Sequence, residues 1–416
     1  MKVLAVIVAH PLRKVCGATN AGLELSAATA ELIDLEVAVM WDETRMEKAG
    51  RLTKRLFNCT NRLGPLARFA PRFVKVPLYD SEIVNLIRRG AYDVVHIHNL
   101  VPTIAAERIA KRCKREGIPY VITTHGFVEL SSYAKINGFG PLKSFLIGFV
   151  MTRPFERVVA KADRIFALSD CEFDLLKNMG VDRSHIDVVT NGVNEFYLDS
   201  PADDEVQTMR QRFAPAQGPV LLFMGSLHAY KGVGTFLKSL VQIKGPFQAI
   251  VAGRFKDPNE PKMLLDQADV PEALRDRVRF TGGVSNEELR ALYHLADVFV
   301  YPTAGDTLPL VVLEAMASGC PIVSTTVGGI PFEVPAEVGT LVPPDNAAAV
   351  ASAVNTLLAD PAARQRMGHA ARERVKTIFR WNQSARAAVA GYQRMLGKQP
   401  AVDAVSVPQA AAVPTA

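Results

Sequence analysis

Residues 301–325 read YPTAGDTLPLVVLEAMASGCPIVST, and the fold follows from what this stretch demands of its neighbours. The β-branched and aromatic run Asp297 to Tyr301 (DVFVY) reads as a strand, and CPIVST reads as another, so a helix must cross between two parallel strands. Pro309 suits the first helical position, where a missing N–H costs nothing. Gly319 suits the left-handed residue that stops a helix, which predicts a helix over about 309–318. Its first turn leaves N–H groups free, notably on Leu310 and Val311, and its dipole adds partial positive charge. Together they make an anion seat at the carboxyl ends of the strands, fit for a phosphate. Glu314 lies about a turn inside this helix within an apolar run, and Asp306 precedes it on the loop, so two carboxylates flank one anion site. Glu314 also reads as a helix glutamate paired with a Lys or Arg, and Asp306 as an N-terminal cap, a role compatible with ligand contact.

Working outward, the same alternation of short apolar strands and helical spacing runs through most of the chain. VLAVIVA (3–9), a helix within 16–33 and LEVAVMW (35–41) form a βαβ unit. DSEIVNLIRRG reads as helix, DVVHIHN as strand, TIAAERIAKRCKREG as an amphipathic helix, PYVITTHG as strand, and 161–193 supplies a strand, a helix and a strand. SPADDEVQ reads as a linker. PVLLFMGS (219–226) then opens a second series, which predicts an α/β protein with two doubly wound parallel-sheet domains, 1–198 and 199–380. A last helix covers 381–396, and 397–416 reads as a low-complexity, disordered tail. Ligands of such sheets bind outside the carboxyl ends of the strands, so the tandem arrangement predicts a cleft between the domains.

Composition narrows the class. With 49% hydrophobic and 22% charged residues the chain is neither disordered nor membrane-spanning in profile, and no apolar run reaches the roughly 20 residues that span a bilayer. Five dispersed cysteines without a C-x-x-C pair indicate neither a disulfide framework nor a zinc site, and a cytoplasmic compartment is expected. Of the net +6, most lies in the first half, where 48–75 (KAGRLTKRLFNCTNRLGPLARFAPRFVK) interleaves basic with apolar residues and holds no acid. Two readings fit this segment: a surface that rests on an anionic membrane, or a solvated helix pair with a core-facing stripe. No recognised motif accompanies the charge, so nucleic acid is not expected as a partner.

Four strand-exit loops point toward the expected cleft: 16–19, 124–126, 225–232 and 305–314. Gly17 lets backbone approach a phosphate closely, or is simply a turn glycine. Lys231 opens a helix after PVLLFMG and can place one positive charge on a diphosphate, or is a surface lysine. The G-x-G that follows lacks the third glycine of a dinucleotide fingerprint, and no P-loop sequence occurs. His125 ends a strand before a glycine, where imidazole can hydrogen-bond a ligand hydroxyl or serve structurally. His96 and His98 share a strand face without a third metal ligand in view.

Taken together, these residues resemble glycosyltransferase family 4, and the match covers nearly all of residues 1–396. DTLPLVVLEAMASGCPIVST is similar to the family's E-x7-E segment, with Asp306 in place of the first glutamate and Glu314 as the second. FMGSLHAYKG, FTGGVSNEELRALYHLADVFVYPT, VVTNGV, VGGIPFEV and GTLVPPDN follow in the family's order. The resemblance implies a GT-B fold of two facing Rossmann-like domains. It also implies that Glu314 holds the nucleotide ribose, Asp306 faces the donor sugar, and Lys231 with the N–H groups of Leu310 and Val311 holds the diphosphate. The backbone near Val284 would meet the base. His125 resembles the family's active-site histidine, and the Cys16-Gly17-Ala18 segment resembles the glycine-rich loop that meets the β-phosphate. Where many members carry Arg after the strand glycine this chain has Ser226, and Arg254 on the next strand exit is the expected substitute.

The implied activity is a retaining, metal-independent transfer of a hexose-type sugar from a nucleoside diphosphate sugar to a sugar or lipid-linked acceptor, in polysaccharide or glycolipid biosynthesis. No resident metal or cofactor is expected. A nucleotide-sugar epimerase and a non-catalytic sugar-nucleotide-binding protein are the alternatives of other classes. The acid-free 48–75 segment adds an expected peripheral contact with an anionic membrane.

Overall fold

The structure is a computed structural model of the chain, and it describes residues 1–11, 17–123, 125–126 and 148–399. Among the described residues two compact units result, one comprising Met1–Gly192 together with residues 381–399, the other Val193–Arg380. Both are α/β, and each is built on its own sheet. The sequence expectations for Cys16, Thr124 and the tail from Pro400 lie outside the described residues.

The first unit contains β1 (Lys2–Ile7), α1 (Gly17–Ala30), β2 (Asp34–Trp41), β3 (Arg45–Ala49), β4 (Leu52–Asn58), the short pair β5 (Thr60–Asn61) and β6 (Tyr79–Asp80), and β7 (Val94–His98). It continues with α2 (Thr103–Glu116), β8 (Tyr120–Thr123), α3 (Arg153–Ala160), β9 (Arg164–Ala167) and β10 (Ile186–Val188). The sheet order is β10-β9-β8-β7-β1-β2-β4-β3, parallel except at the β3/β4 edge. Val3 through Val8 are fully buried, which is why this strand reads as an unbroken apolar run: helices cover both faces of a parallel sheet. Strand order reverses at β1, between β2 on one side and β7 on the other, so the exits of β1 and β7 form the crevice where such a sheet takes ligands.

Two sequence expectations fail in this unit. The basic segment is not a helix pair, because its first half is the β3/β4 hairpin, with Lys54 paired to Glu47 across the strands at 3.1 Å. DSEIVNLIRRG forms only a 3-10 turn, Glu82–Leu86. Its spacing placed Ile83 and Ile87 on one helical face, and both are fully buried, but the backbone is already extended at Ile87.

The second unit runs α4 (Asp203–Phe213), β11 (Val220–Met224), α5 (Val233–Ser239), β12 (Gln248–Ala252), β13 (Val278–Gly282), α6 (Asn286–Leu295), β14 (Val298–Tyr301), α7 (Leu310–Ala317), β15 (Ile322–Thr325), β16 (Gly339–Val342), α8 (Ala347–Ala359) and α9 (Pro361–Ile378). Its sheet is parallel throughout in the order β13-β12-β11-β14-β15-β16, reversing between β11 and β14. The stretch read as a linker, 200–207, instead opens α4, whose start is closed by the Ala202 N–H donating to Glu205 at 3.0 Å. The final helix α10 (Trp381–Met395) belongs to the first unit. There Gly391 lies so close to Phe166 that a Cβ would fall 2.5 Å from the ring, and Arg394 pairs with Asp187 at 2.8 Å.

Candidate active site

The β11/β14 reversal decides which residues meet in the second unit. Because these strands are neighbours, the loop after β11 and the loop after β14 leave the sheet side by side, 75 residues apart in sequence. Ala304 donates to the Tyr230 carbonyl at 2.8 Å, and the Thr303 hydroxyl does so at 2.9 Å. Gly232 adopts φ +85°, and any Cβ there would lie 2.0 Å from the Pro302 carbonyl oxygen, so only glycine permits this approach. The result is an ion pair: Lys231 Nζ donates to Asp306 Oδ2 at 2.6 Å, with both side chains 15% exposed. The Tyr301 hydroxyl donates to the same oxygen at 2.8 Å. Asp306 is therefore not a helix cap. The cap position of α7 is Pro309, one residue earlier than the sequence placed it relative to the helix, and no side chain bonds there.

The N–H groups of Val312 and Leu313 turn back to the Pro309 carbonyl, whereas those of Leu310 and Val311 find no partner among the described residues. Two bare donors thus follow directly on the Lys231–Asp306 pair. Glu314, half-buried further along α7, has neither a Lys nor an Arg partner among the described residues. It accepts a hydrogen bond from the Tyr293 hydroxyl on α6 at 3.0 Å. Burial pushes its carboxyl up to about 7, against the lowering influence of that bond.

The neighbouring exits are arranged in register. Gly225 donates to Ala252 and Gly253 to Gly282, and a Cβ at 253 would lie 2.2 Å from the Gly225 carbonyl oxygen. Ser226 and Arg254 follow these glycines and are exposed, and Arg254 forms no ion pair among the described residues. Its stem lies over Gly283, where a Cβ would meet it at 3.0 Å, next to Val284 and the Ser285 cap of α6.

One group went unseen in sequence. Glu333, in VGGIPFEV, is fully buried on the short helix Ile330–Glu333, and neither carboxyl oxygen has a hydrogen-bond partner among the described residues. Arg374 reaches this turn but donates to the main-chain carbonyls of Phe332 and Glu333, at 2.6 and 3.1 Å. Burial, reinforced by the charge of Asp306, holds the Glu333 carboxyl well above its ordinary range. An acid inside an apolar run was the available signal, the same one that marked Glu314.

In the first unit His125 stands just past β8, half-buried, in the left-handed region at φ +51°. Burial pushes it down to about 4, so the ring is neutral near pH 7. His96 and His98 do share one face of β7, but not as metal ligands. Both nitrogens of His96 are taken, Nδ1 by the Tyr392 hydroxyl at 2.7 Å and Nε2 by Thr123 Oγ1 at 2.8 Å. His98 Nδ1 lies 3.2 Å from His125 Nε2. Gly17 is the exposed first residue of α1.

These two constellations sit on a chain with clear relatives. The family model described as Glycosyltransferase Family 4 matches residues 17–195, and the one described as Glycosyl transferases group 1 matches 218–360. A D-inositol 3-phosphate glycosyltransferase of Xylanimonas cellulosilytica is 30% identical over 348 residues, covering 81% of this chain and 79% of that protein. Among solved structures, sucrose-phosphate synthase from Thermosynechococcus elongatus aligns with a TM-score of 0.75 at 23% identity, covering 95% of this chain and all of that one. Anabaena HepE in complex with UDP-glucose aligns at 0.69 and 19% identity, covering 95% and 98%. Each half of the chain matches its own family model, the relative spans both halves, and the solved structures share the GT-B architecture, so the chain belongs to glycosyltransferase family 4 and is a glycosyltransferase.

Proposed function

We propose that the protein moves a hexose-type sugar from a nucleoside diphosphate sugar to an acceptor hydroxyl with retention of configuration. The observation that carries this reading is the Lys231–Asp306 pair at the β11/β14 reversal, directly ahead of the uncovered N–H groups of Leu310 and Val311. A diphosphate matches this set. It would draw the Lys231 ammonium away from Asp306 and fill the helix N-terminus, and the charge of the departing nucleotide would be met by these fixed donors. In this reading no resident cofactor is required. Glu314, when ionised, accepts from the ribose hydroxyls, and the Val284 backbone meets the base. Asp306, released from Lys231, turns to the sugar. Arg254 supplies the guanidinium that Ser226 does not, Gly17 at the start of α1 admits the β-phosphate, and His125 hydrogen-bonds a ligand hydroxyl.

The acceptor we propose is a sugar or a lipid-linked sugar, in polysaccharide or glycolipid biosynthesis at the cytoplasmic face of a membrane. Leu66 and Phe69 support the lipid-linked class. They are 67% and 73% exposed on and beside a 3-10 turn, the Arg68 guanidinium lies over the Phe69 ring at 4.6 Å, and Arg72 and Lys75 follow on the next helical turn, a mixture of exposed apolar and basic side chains of the kind that rests on anionic lipid. No helix among the described residues is long and apolar enough to cross a membrane.

Incubation with UDP-, GDP- and ADP-sugars, with and without candidate acceptors, tests the reading through release of nucleoside diphosphate. Acceptor-dependent release, with the product's anomeric configuration matching the donor's by NMR, supports it. Conversion of the donor sugar without an acceptor would favour an epimerase, and an intact donor throughout would favour a binding protein.

A further inference from the structure

His98 is a buried titratable group to which the reading above assigns no role, and it touches the one histidine that has a role. It ends β7 opposite Thr123, the last residue of β8, and its side chain is fully enclosed. Nδ1 lies 3.2 Å from His125 Nε2, and the two rings are stacked with centroids 5.5 Å apart. The His96 ring lies on another side at 3.8 Å, and α1 closes on it: a Cβ at Gly22 would meet His98 Cβ, Cγ and Nδ1 at 3.2, 3.2 and 3.3 Å. His98 Nε2 and His125 Nδ1 are both enclosed without a partner among the described residues. Asn99, directly after His98, at φ +64° and His125 itself at φ +51° are both non-glycine and left-handed, a conformation that persists only where surrounding contacts enforce it.

Two neutral rings sharing one hydrogen bond leave one N–H without an acceptor and one lone pair without a donor. A buried N–H without an acceptor is the rarer and costlier of the two. Were His125 to donate to His98, the stranded N–H would be His98 Nε2, sealed inside the sheet. Were His98 to donate to His125, the stranded N–H would be His125 Nδ1, itself enclosed but on a half-buried residue at the strand exit, where a small turn of the ring brings it to water or a ligand oxygen, a movement that the fully enclosed His98 does not have. The second arrangement is the cheaper one. We infer that His98 is a positioning residue that donates from Nδ1 to His125 Nε2, holding His125 as the neutral Nδ1–H tautomer so that it presents a hydrogen-bond donor to a sugar hydroxyl.

This rests on the role proposed for His125, but its test does not. Histidine-selective nitrogen-15 NMR of the full chain without ligand reads the tautomer directly, with His125→Gln assigning the signal. In the wild type His125 should show a protonated Nδ1 and a bare Nε2. His98→Asn, whose amide nitrogen occupies the place of Nδ1, should keep that pattern, and His98→Leu should lose it. Gly22→Ala keeps every histidine and improves α1 as a helix, yet its methyl group crowds His98 Nδ1. It should shift the His125 tautomer without lowering the melting temperature. With the nucleotide sugar that the wild type consumes, turnover should fall roughly tenfold in the leucine variant, the effect of one net hydrogen bond, and return in the asparagine variant. An Nε2-protonated His125 in the wild type, or a tautomer unchanged by both His98→Leu and Gly22→Ala, overturns the inference. A normal tautomer response in a chain without transferase activity would instead overturn the proposed function.

Discussion

Glu314 would hold a ribose only as a carboxylate, since the protonated acid loses acceptor capacity toward two hydroxyls. With its carboxyl pushed up to about 7, the fraction ionised falls as pH drops below that value, and nucleotide affinity should fall by up to about tenfold per pH unit from pH 7 to pH 5. Calorimetry with UDP across this range tests it, and Glu314→Gln should bind weakly with that part of the pH dependence gone. In the proposed reading Asp306, paired with Lys231 at 2.6 Å, would compete with the diphosphate for it. Asp306→Asn should therefore raise affinity for free UDP roughly tenfold, as one charge-assisted bond of about 1.5 kcal/mol would, while turnover falls because the sugar loses its carboxylate. Unchanged affinity would mean that the ion pair persists when the nucleotide is bound. Glu333 makes a stability statement. Its folded carboxyl titrates well above 4.5, so the folded state binds a proton that the unfolded state has already lost, and stability falls as pH rises above about 4.5. Glu333→Gln should accordingly raise the melting temperature more at pH 8 than at pH 5. An equal change at both pH values would show that the carboxyl is ionised and paired.

At the scale of elements, the donor-side loops are held together by glycines whose missing side chains are contacts. Gly328 has φ +55°, and a Cβ there would stand 1.8 Å from the Asp306 carbonyl oxygen, while Gly329 donates to the Thr307 carbonyl at 2.7 Å. The turn before the short helix Ile330–Glu333 thus fixes the backbone that carries Asp306. Gly328→Ala combines left-handed strain with a steric overlap, and should destabilise the protein by about 2 kcal/mol or more. It should also weaken UDP binding, and denaturant unfolding alongside calorimetry separates the two effects. Intact binding in a destabilised variant would show that the Asp306 loop keeps its shape without this contact.

For the whole molecule, both sheets reverse strand order once, and the candidate residues gather at those reversals: Lys231 and Asp306 at β11/β14, and His98 and His125 beside β1/β7. The basic excess of the first half is only partly available to a membrane. Arg55 pairs with Glu36 at 3.2 Å, Lys54 with Glu47 at 3.1 Å, and Arg62 with Asp80 at 2.9 Å. Arg68, Arg72 and Lys75 form no ion pair among the described residues. Charge removal at these three, at about 1 kcal/mol each near an anionic surface, should weaken flotation with anionic vesicles and its salt dependence, and Leu66→Ser with Phe69→Ser should weaken it at any salt. Neutralising Arg55 and Lys54 should do little. A wild type that stays off anionic vesicles at low salt would point to a soluble acceptor.

Most strands of the two sheets, the crossover helix α7 and the terminal helix were legible in the chain, and Asp306, Glu314, Lys231 and His125 could be singled out as candidates, because each depends on local periodicity, a helix start or a short motif. The failures share a cause. The 48–75 segment carries no period strong enough to choose between helix and hairpin, and pairing of β4 with β2 decided it. DSEIVNLIRRG had helical spacing, but the burial of Ile83 and Ile87 is satisfied by a single 3-10 turn. The pairing of Lys231 with Asp306, the hydroxyl partners of both carboxylates, the isolation of Glu333 and the contact of His98 with His125 could come only from the tertiary structure. They depend on which strands are neighbours and on what is left enclosed between them, and both are properties of contacts distant in sequence.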